Sequence, residues 1–140
     1  MLELIPRAFI PLKKVLYDKL NKKMSIRLTS FTKLLTKSID FICDKFPQDR
    51  DISYTAYQIS LSISVSPRLV LNTFMNNIVD YKQKIVDRDA SFFLTLSNGT
   101  DGLQCFNLGE KWELFDSLEK EFVFQQVAKL IALGTLIQAE

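Results

Sequence analysis

The chain has 140 residues, 47% of them hydrophobic and 24% charged, with a formal net charge of +2. That balance is ordinary for a single globular domain and excludes wholesale disorder. There is no histidine, which excludes Ser-His-Asp triads, His-ligated zinc and the commonest general base.

Only four glycines and four prolines are present, which favours long helices over a many-turned β fold. The expected fold class is mainly α, a compact helical bundle of about five to six helices over 12–140, preceded by an N-terminal apolar arm at 1–11. Eleven phenylalanines fit an aromatic-rich core better than a stacking surface for bases. Cys43 and Cys105 stand far apart in no metal-binding spacing. Cys43 reads as a small buried hydrophobe, and a reducing, intracellular setting is expected.

Met1 to Pro11 is punctuated by Pro6 and Pro11 and has Glu3 where a secretory leader should be basic. No export signal is expected from it. It reads as a loose terminus or as a strap that docks Leu2, Leu4, Ile5 and Phe9 on a surface of this chain or of a partner. From Leu12 to Phe46 one apolar seam runs through Leu16, Leu20, Met24, Leu28, Phe31, Leu35, Ile39 and Ile42. Its early gaps of four drift around a straight helix, whereas from Leu28 the gaps follow the helical period. Two helices are predicted, Leu12 to about Leu20 and Ser25 to about Lys45, with a break near Asn21-Lys22-Lys23 and an end at Pro47.

The same stretch holds the main charge asymmetry. Between Arg7 and Lys37 nine basic residues face Asp18 alone. Lys13, Lys14, Lys22, Lys23 and Arg27 are candidates to meet an acidic protein partner, and Leu4, Ile5 and Phe9 are candidates for the strap. Phosphate backbone or an anionic surface is the alternative partner. Lysine dominates and no aromatic ladder interleaves it, so base-specific readout has no support.

Asp49 or Asp51 is placed to cap the next helix. Ile52 to Val65 is ambiguous. Ile59, Leu61, Ile63 and Val65 alternate with serines as in a half-buried strand, whereas Ile52, Ala56, Ile59 and Ile63 share one helical stripe. Helix is preferred, with its serine-rich face exposed or against another helix. Ser66-Pro67 is a strong helix start. Leu71, Phe74, Ile78, Tyr81 and Ile85 continue it as one stripe to about Val86.

At Asp87-Arg88-Asp89 the arginine is expected to pair with its flanking aspartates and fix a structural corner. A phosphate or metal site is the less favoured reading. Asp89 is placed to cap a short helix carrying Phe92 and Phe93. Residues 92–108 read either as a small β-hairpin around Ser97–Gly102 or as a short helix, a loop and an extended strap.

The motifs Phe46-Pro47, Asp49, Asp51, Pro67-Arg68-Leu69-Val70-Leu71, Phe74, Tyr81, Ile85, Arg88-Asp89 and Phe92-Phe93-Leu94 together resemble a pattern in small uncharacterised proteins of nucleocytoplasmic large DNA viruses. The resemblance spans roughly Phe46 to Leu94. It implies a viral origin and a role in the virion or the virus factory, and it brings no catalytic residues with it.

The chain closes on a long amphipathic helix expected from Glu110 to about Gln138, with Phe115, Leu118, Phe122, Val127, Leu130, Ile131 and Ile137 on its apolar face. Its first half is acidic, and an Asp116–Lys120 pair is expected along it. The apolar run Phe122–Ile137 is shorter than the ~20 residues a membrane span requires. No catalytic, cofactor-binding or metal-binding residues are assigned. The expected function is that of a non-enzymatic structural or interaction protein, a minor capsid or capsid-associated virion component assembled in the host cytoplasm among other capsid subunits. The alternative is an accessory protein that binds nucleic-acid phosphate through the basic N-terminal helices.

Overall fold

A computed structural model of the chain describes residues 10–91 and 108–140, with side chains from residue 26 onward. The organising element is α1, a single 36-residue helix from Ile10 to Lys45, about 54 Å long at 1.5 Å per residue. The break expected near Asn21-Lys22-Lys23 does not occur. No glycine or proline lies between Pro11 and Pro47, so nothing interrupts the backbone. A drifting seam changes which side of a helix is apolar and leaves its hydrogen bonds untouched. Pro11 falls in the first turn, where its missing N–H has no intrahelical partner to lose.

Five residues later the chain re-enters a helix. The Asp49 carboxylate accepts from the Ile52 N–H at 3.1 Å and opens α2, Arg50–Val65. Helix is therefore the outcome for the ambiguous Ile52–Val65 stretch. Ser66 then caps α3, Pro67–Ile78, by accepting from the Leu69 N–H, with Pro67 at its first position. A 3-10 turn over Val79–Tyr81 separates α3 from the short α4, Lys82–Val86. Three residues per turn keep Ile78 and Tyr81 on the same side, so the expected stripe survives the change of helix type.

The C-terminal helix is not continuous from Glu110. A short α5 over Leu108–Lys111 and a 3-10 turn over Trp112–Leu114 come first. Phe115 is then extended and Asp116 caps α6, Ser117–Gln138. The cause is a capping box: Asp116 accepts from the Glu119 N–H at 2.8 Å while Glu119 accepts from the Asp116 N–H at 2.9 Å. With its carboxylate so engaged, Asp116 does not pair with Lys120. That lysine meets Glu113 at 3.2 Å and lies over the Trp112 ring. Leu118, expected on the apolar face, is exposed, and Val123 and Phe124 are buried in its place.

These elements form a helical bundle around α1, which packs most extensively on α6 and also on α2 and α3. The core takes Phe31, Leu35, Ile39 and Ile42 from α1, Ile52 from α2, and Leu71, Phe74, Met75 and Ile78 from α3. Ile85, Trp112, Phe115 and the inward residues of α6 complete it. Phe31 and Phe74 meet edge to face at 5.7 Å, and Trp112 meets Phe124 likewise at 5.3 Å. The phenylalanines thus supply much of the core.

Two features of α6 lie outside any apolar count. Gln126 is 3% exposed and donates to the Ser38 hydroxyl at 3.2 Å, which in turn donates to the Leu34 carbonyl at 2.8 Å. Gly134 lets α6 approach α3 closely: a β-carbon there would stand 2.4 Å from the Met75 sulfur. Among the described residues there is no strand, and no helix is long and apolar enough to cross a membrane. Residues 92–107, which carry most of the hairpin alternative, Phe92, Phe93 and Cys105, lie outside the described residues.

Candidate interaction surfaces

The most distinctive surface is the outer side of α2. Its core face carries Ile52 and Thr55, both buried, with Ala56, Ile59 and Ile63 packed against the core. At 100° per residue the opposite face collects Tyr54, Tyr57, Leu61 and Val65 within an arc of roughly 80°. Those four side chains are 63%, 61%, 48% and 85% exposed, which makes α2 apolar on two opposite faces. From Ile52 to Val65 the helix has no charged residue. Leu69, at the start of α3, is also exposed. A contiguous apolar patch of this kind, rich in tyrosine, is what interface cores are made of.

Sequence reasoning did not find this stripe. Residues two apart on a helix lie 200° from one another, so the alternation of Ile59, Leu61, Ile63 and Val65 distributes them onto two opposite helical faces. The strand-like pattern was the signal of an outward apolar face.

The candidate residues at the N-terminus are placed unevenly. Leu4, Ile5 and Phe9 lie outside the described residues. Lys13, Lys14, Lys22 and Lys23 fall on the first half of α1, with their side chains also outside them. Arg27 pairs with Glu140, and Lys45 pairs with Glu119 at 3.0 Å. These contacts join the middle of α1 to the chain end just beyond α6 and the C-terminal end of α1 to the first turn of α6, so the two helices run antiparallel. Of the basic candidates, Arg27 is therefore already paired within the chain. Beyond Arg27, α1 continues toward Ile10 for roughly 25 Å.

At the corner Asp87-Arg88-Asp89 the pairing differs from the expectation. Arg88 does not pair with its flanking aspartates. It reaches α6, where Nε and Nη2 donate to the two Glu121 carboxylate oxygens at 3.0 and 2.9 Å. Its Nη1 donates to the Ile85 carbonyl, and its guanidinium lies 5.6 Å from the Phe124 ring centre. Arg88 has φ of 56°, the left-handed position that ends α4. Around it the Asp89 N–H donates to Lys84 O and the Arg88 N–H to Ile85 O, the bond pair of a Schellman ending. Left-handed backbone turns Arg88 away from its neighbours, so Asp87 takes Gln83 and Asp89 takes the Ser91 N–H instead.

The shifted proton affinities follow from these contacts. The hydrogen bond from Lys111, 2.9 Å away, and the cap bond from Ile52 hold the Asp49 carboxyl below its ordinary value. Arg88 does the same to Glu121, and Ser91 to Asp89. Glu121 in turn raises Arg88. Burial, then the charges of Asp40 and Asp44, push the Cys43 thiol up, away from a reactive thiolate. Each shifted carboxylate is engaged in a cap, a turn or an ion pair. An open trough along α1, lined by Thr32, Lys33, Thr36, Lys37 and Asp40, brings no converging set of catalytic groups. Among the described residues no three His, Cys, Asp or Glu side chains are grouped to hold a metal ion.

No protein-family model matches the chain, and neither the search of curated proteins nor that of solved structures returns a match.

Proposed function

We propose that this chain is a non-enzymatic structural and interaction protein whose contact surface is the outer stripe of α2. The observation that supports this reading is the uncharged run Ile52–Val65, which faces the core on one side and presents Tyr54, Tyr57, Leu61 and Val65 on the other. Exposing such a stripe to water is unfavourable, and covering it with another protein surface removes that penalty. The polar groups that sequence reasoning offered for chemistry serve caps and inter-helix pairs, consistent with a scaffold. The motifs between Phe46 and Leu94 that resemble proteins of large DNA viruses extend the proposal to a minor capsid or capsid-associated component, held among larger subunits.

Quantitative mass spectrometry of purified particles tests this reading. A fixed stoichiometric ratio to the major capsid protein is expected. Absence from particles, with abundance confined to infected cells, overturns the virion assignment. Steeply salt-dependent retention of DNA at low salt, lost on neutralising Lys13, Lys14, Lys22 and Lys23, would assign the protein to phosphate binding instead.

A further inference from the structure

We infer that the outer stripe of α2 is a two-fold self-association surface, in which α2 of one copy packs antiparallel on α2 of a second. This inference rests on the reading of α2 as a protein-contact face and names its occupant. The first argument is charge. An acidic or basic partner gains nothing from a surface with no charge between Ile52 and Val65, whereas a second copy meets that surface without repulsion. The second is spacing. In an antiparallel pair centred between Ile59 and Ser60, Tyr54 lies level with Val65 and Tyr57 with Leu61 to within about 1 Å at 1.5 Å rise per residue, so each ring rests on an aliphatic side chain of the other copy. A two-fold contact requires such reciprocity, and the order of the four residues supplies it.

The third argument is area. With the exposures above, the four side chains leave roughly 550 Å² open, which the flanking exposed Gln58 and Ser62 enlarge toward the ~800 Å² per partner of a standard interface. The patch is of the size for a weak, reversible dimer rather than an obligate one.

The test is sedimentation velocity of the full chain under reducing conditions across a concentration series. A reversible dimer with Kd on the order of 10 µM is expected. Leu61→Glu should weaken it at least ~100-fold by placing an unpaired charge in the contact, with an unchanged circular dichroism spectrum because the position is exposed. The register is tested by Tyr54→Lys and Val65→Glu. Each variant alone should be monomeric, and an equimolar mixture should regain association, since the introduced lysine of one copy then faces the introduced glutamate of the other. A monomer at ~200 µM, a dimer indifferent to Leu61→Glu, or a mixture that stays monomeric each overturns the inference. Mass spectrometry of particles reads the virion assignment independently, so that assignment can stand or fall apart from the dimer.

Discussion

Replacing Gly134 with alanine tests how closely α6 approaches α3. Mid-helix Gly→Ala ordinarily stabilises by about 1 kcal/mol, because alanine has less backbone freedom to lose and exposes less backbone to water. At Gly134 the added β-carbon would meet the Met75 sulfur at 2.4 Å and its γ-carbon at 3.1 Å. Met75 is 3% exposed and can yield only into a filled core, and overpacking of this kind costs about 1–3 kcal/mol. The clash therefore wins, and Gly134→Ala is expected to destabilise by about 1 kcal/mol. Met75→Ala removes the obstructing atoms at a cost of about 2–5 kcal/mol by itself. In that background Gly134→Ala should become stabilising by about 1 kcal/mol, a coupling near 2 kcal/mol between the two positions. Urea unfolding followed by circular dichroism, at one protein concentration throughout, measures all four corners of the cycle. If Gly134→Ala stabilises the native background with an unchanged m-value, the close approach is refuted.

The buried polar link predicts an asymmetry. Ser38→Ala strands the Gln126 amide and should cost about 1–3 kcal/mol, whereas Gln126→Met leaves Ser38 bonded to Leu34 and should cost less than about 1 kcal/mol. Equal losses in thermal unfolding would show that the link is not made. Asp116→Ala removes the α6 cap and should cost about 1 kcal/mol, while Asp116→Asn should retain most of it. The same unfolding assay separates the two variants. Acidification should destabilise the fold through Asp49, Asp89 and Glu121, whose folded-state proton affinities lie below the ordinary 3.8, 3.8 and 4.5. The native state binds fewer protons than the unfolded one there, so their contribution is complete above those values and is lost as pH falls through and below them. Stability measured from about pH 6 to about pH 2.5 should decline at the acid end, and less so in Asp49→Asn and Glu121→Gln; identical curves for all three would contradict the pairing.

Local information in the chain determined where most helices begin and which residues line them. Asp49, Ser66-Pro67 and the stripe Leu71, Phe74, Ile78, Tyr81 and Ile85 were legible because caps and periodicity act over a few residues. The seam from Leu28 to Phe46 was legible for the same reason. The capping box Asp116-x-x-Glu119 was equally local and was overlooked, which is why α6 was expected to start too early. The continuity of α1 was obscured by a change in side-chain phase that has no consequence for backbone hydrogen bonds.

Tertiary structure decided everything that depends on which distant groups meet. Arg88 sits between two aspartates in the chain yet pairs with Glu121, because a left-handed residue at the end of α4 aims it at another helix. Gln126 is buried because Ser38 of α1 lies opposite, and Gly134 matters only because Met75 is packed against it. The core face and the outer face of α2 have the same apolar character in sequence. Packing against α1 and α3 selected one of them for burial and left Tyr54, Tyr57, Leu61 and Val65 on the outside, since the two faces point in opposite directions and both neighbours lie on the same side of α2.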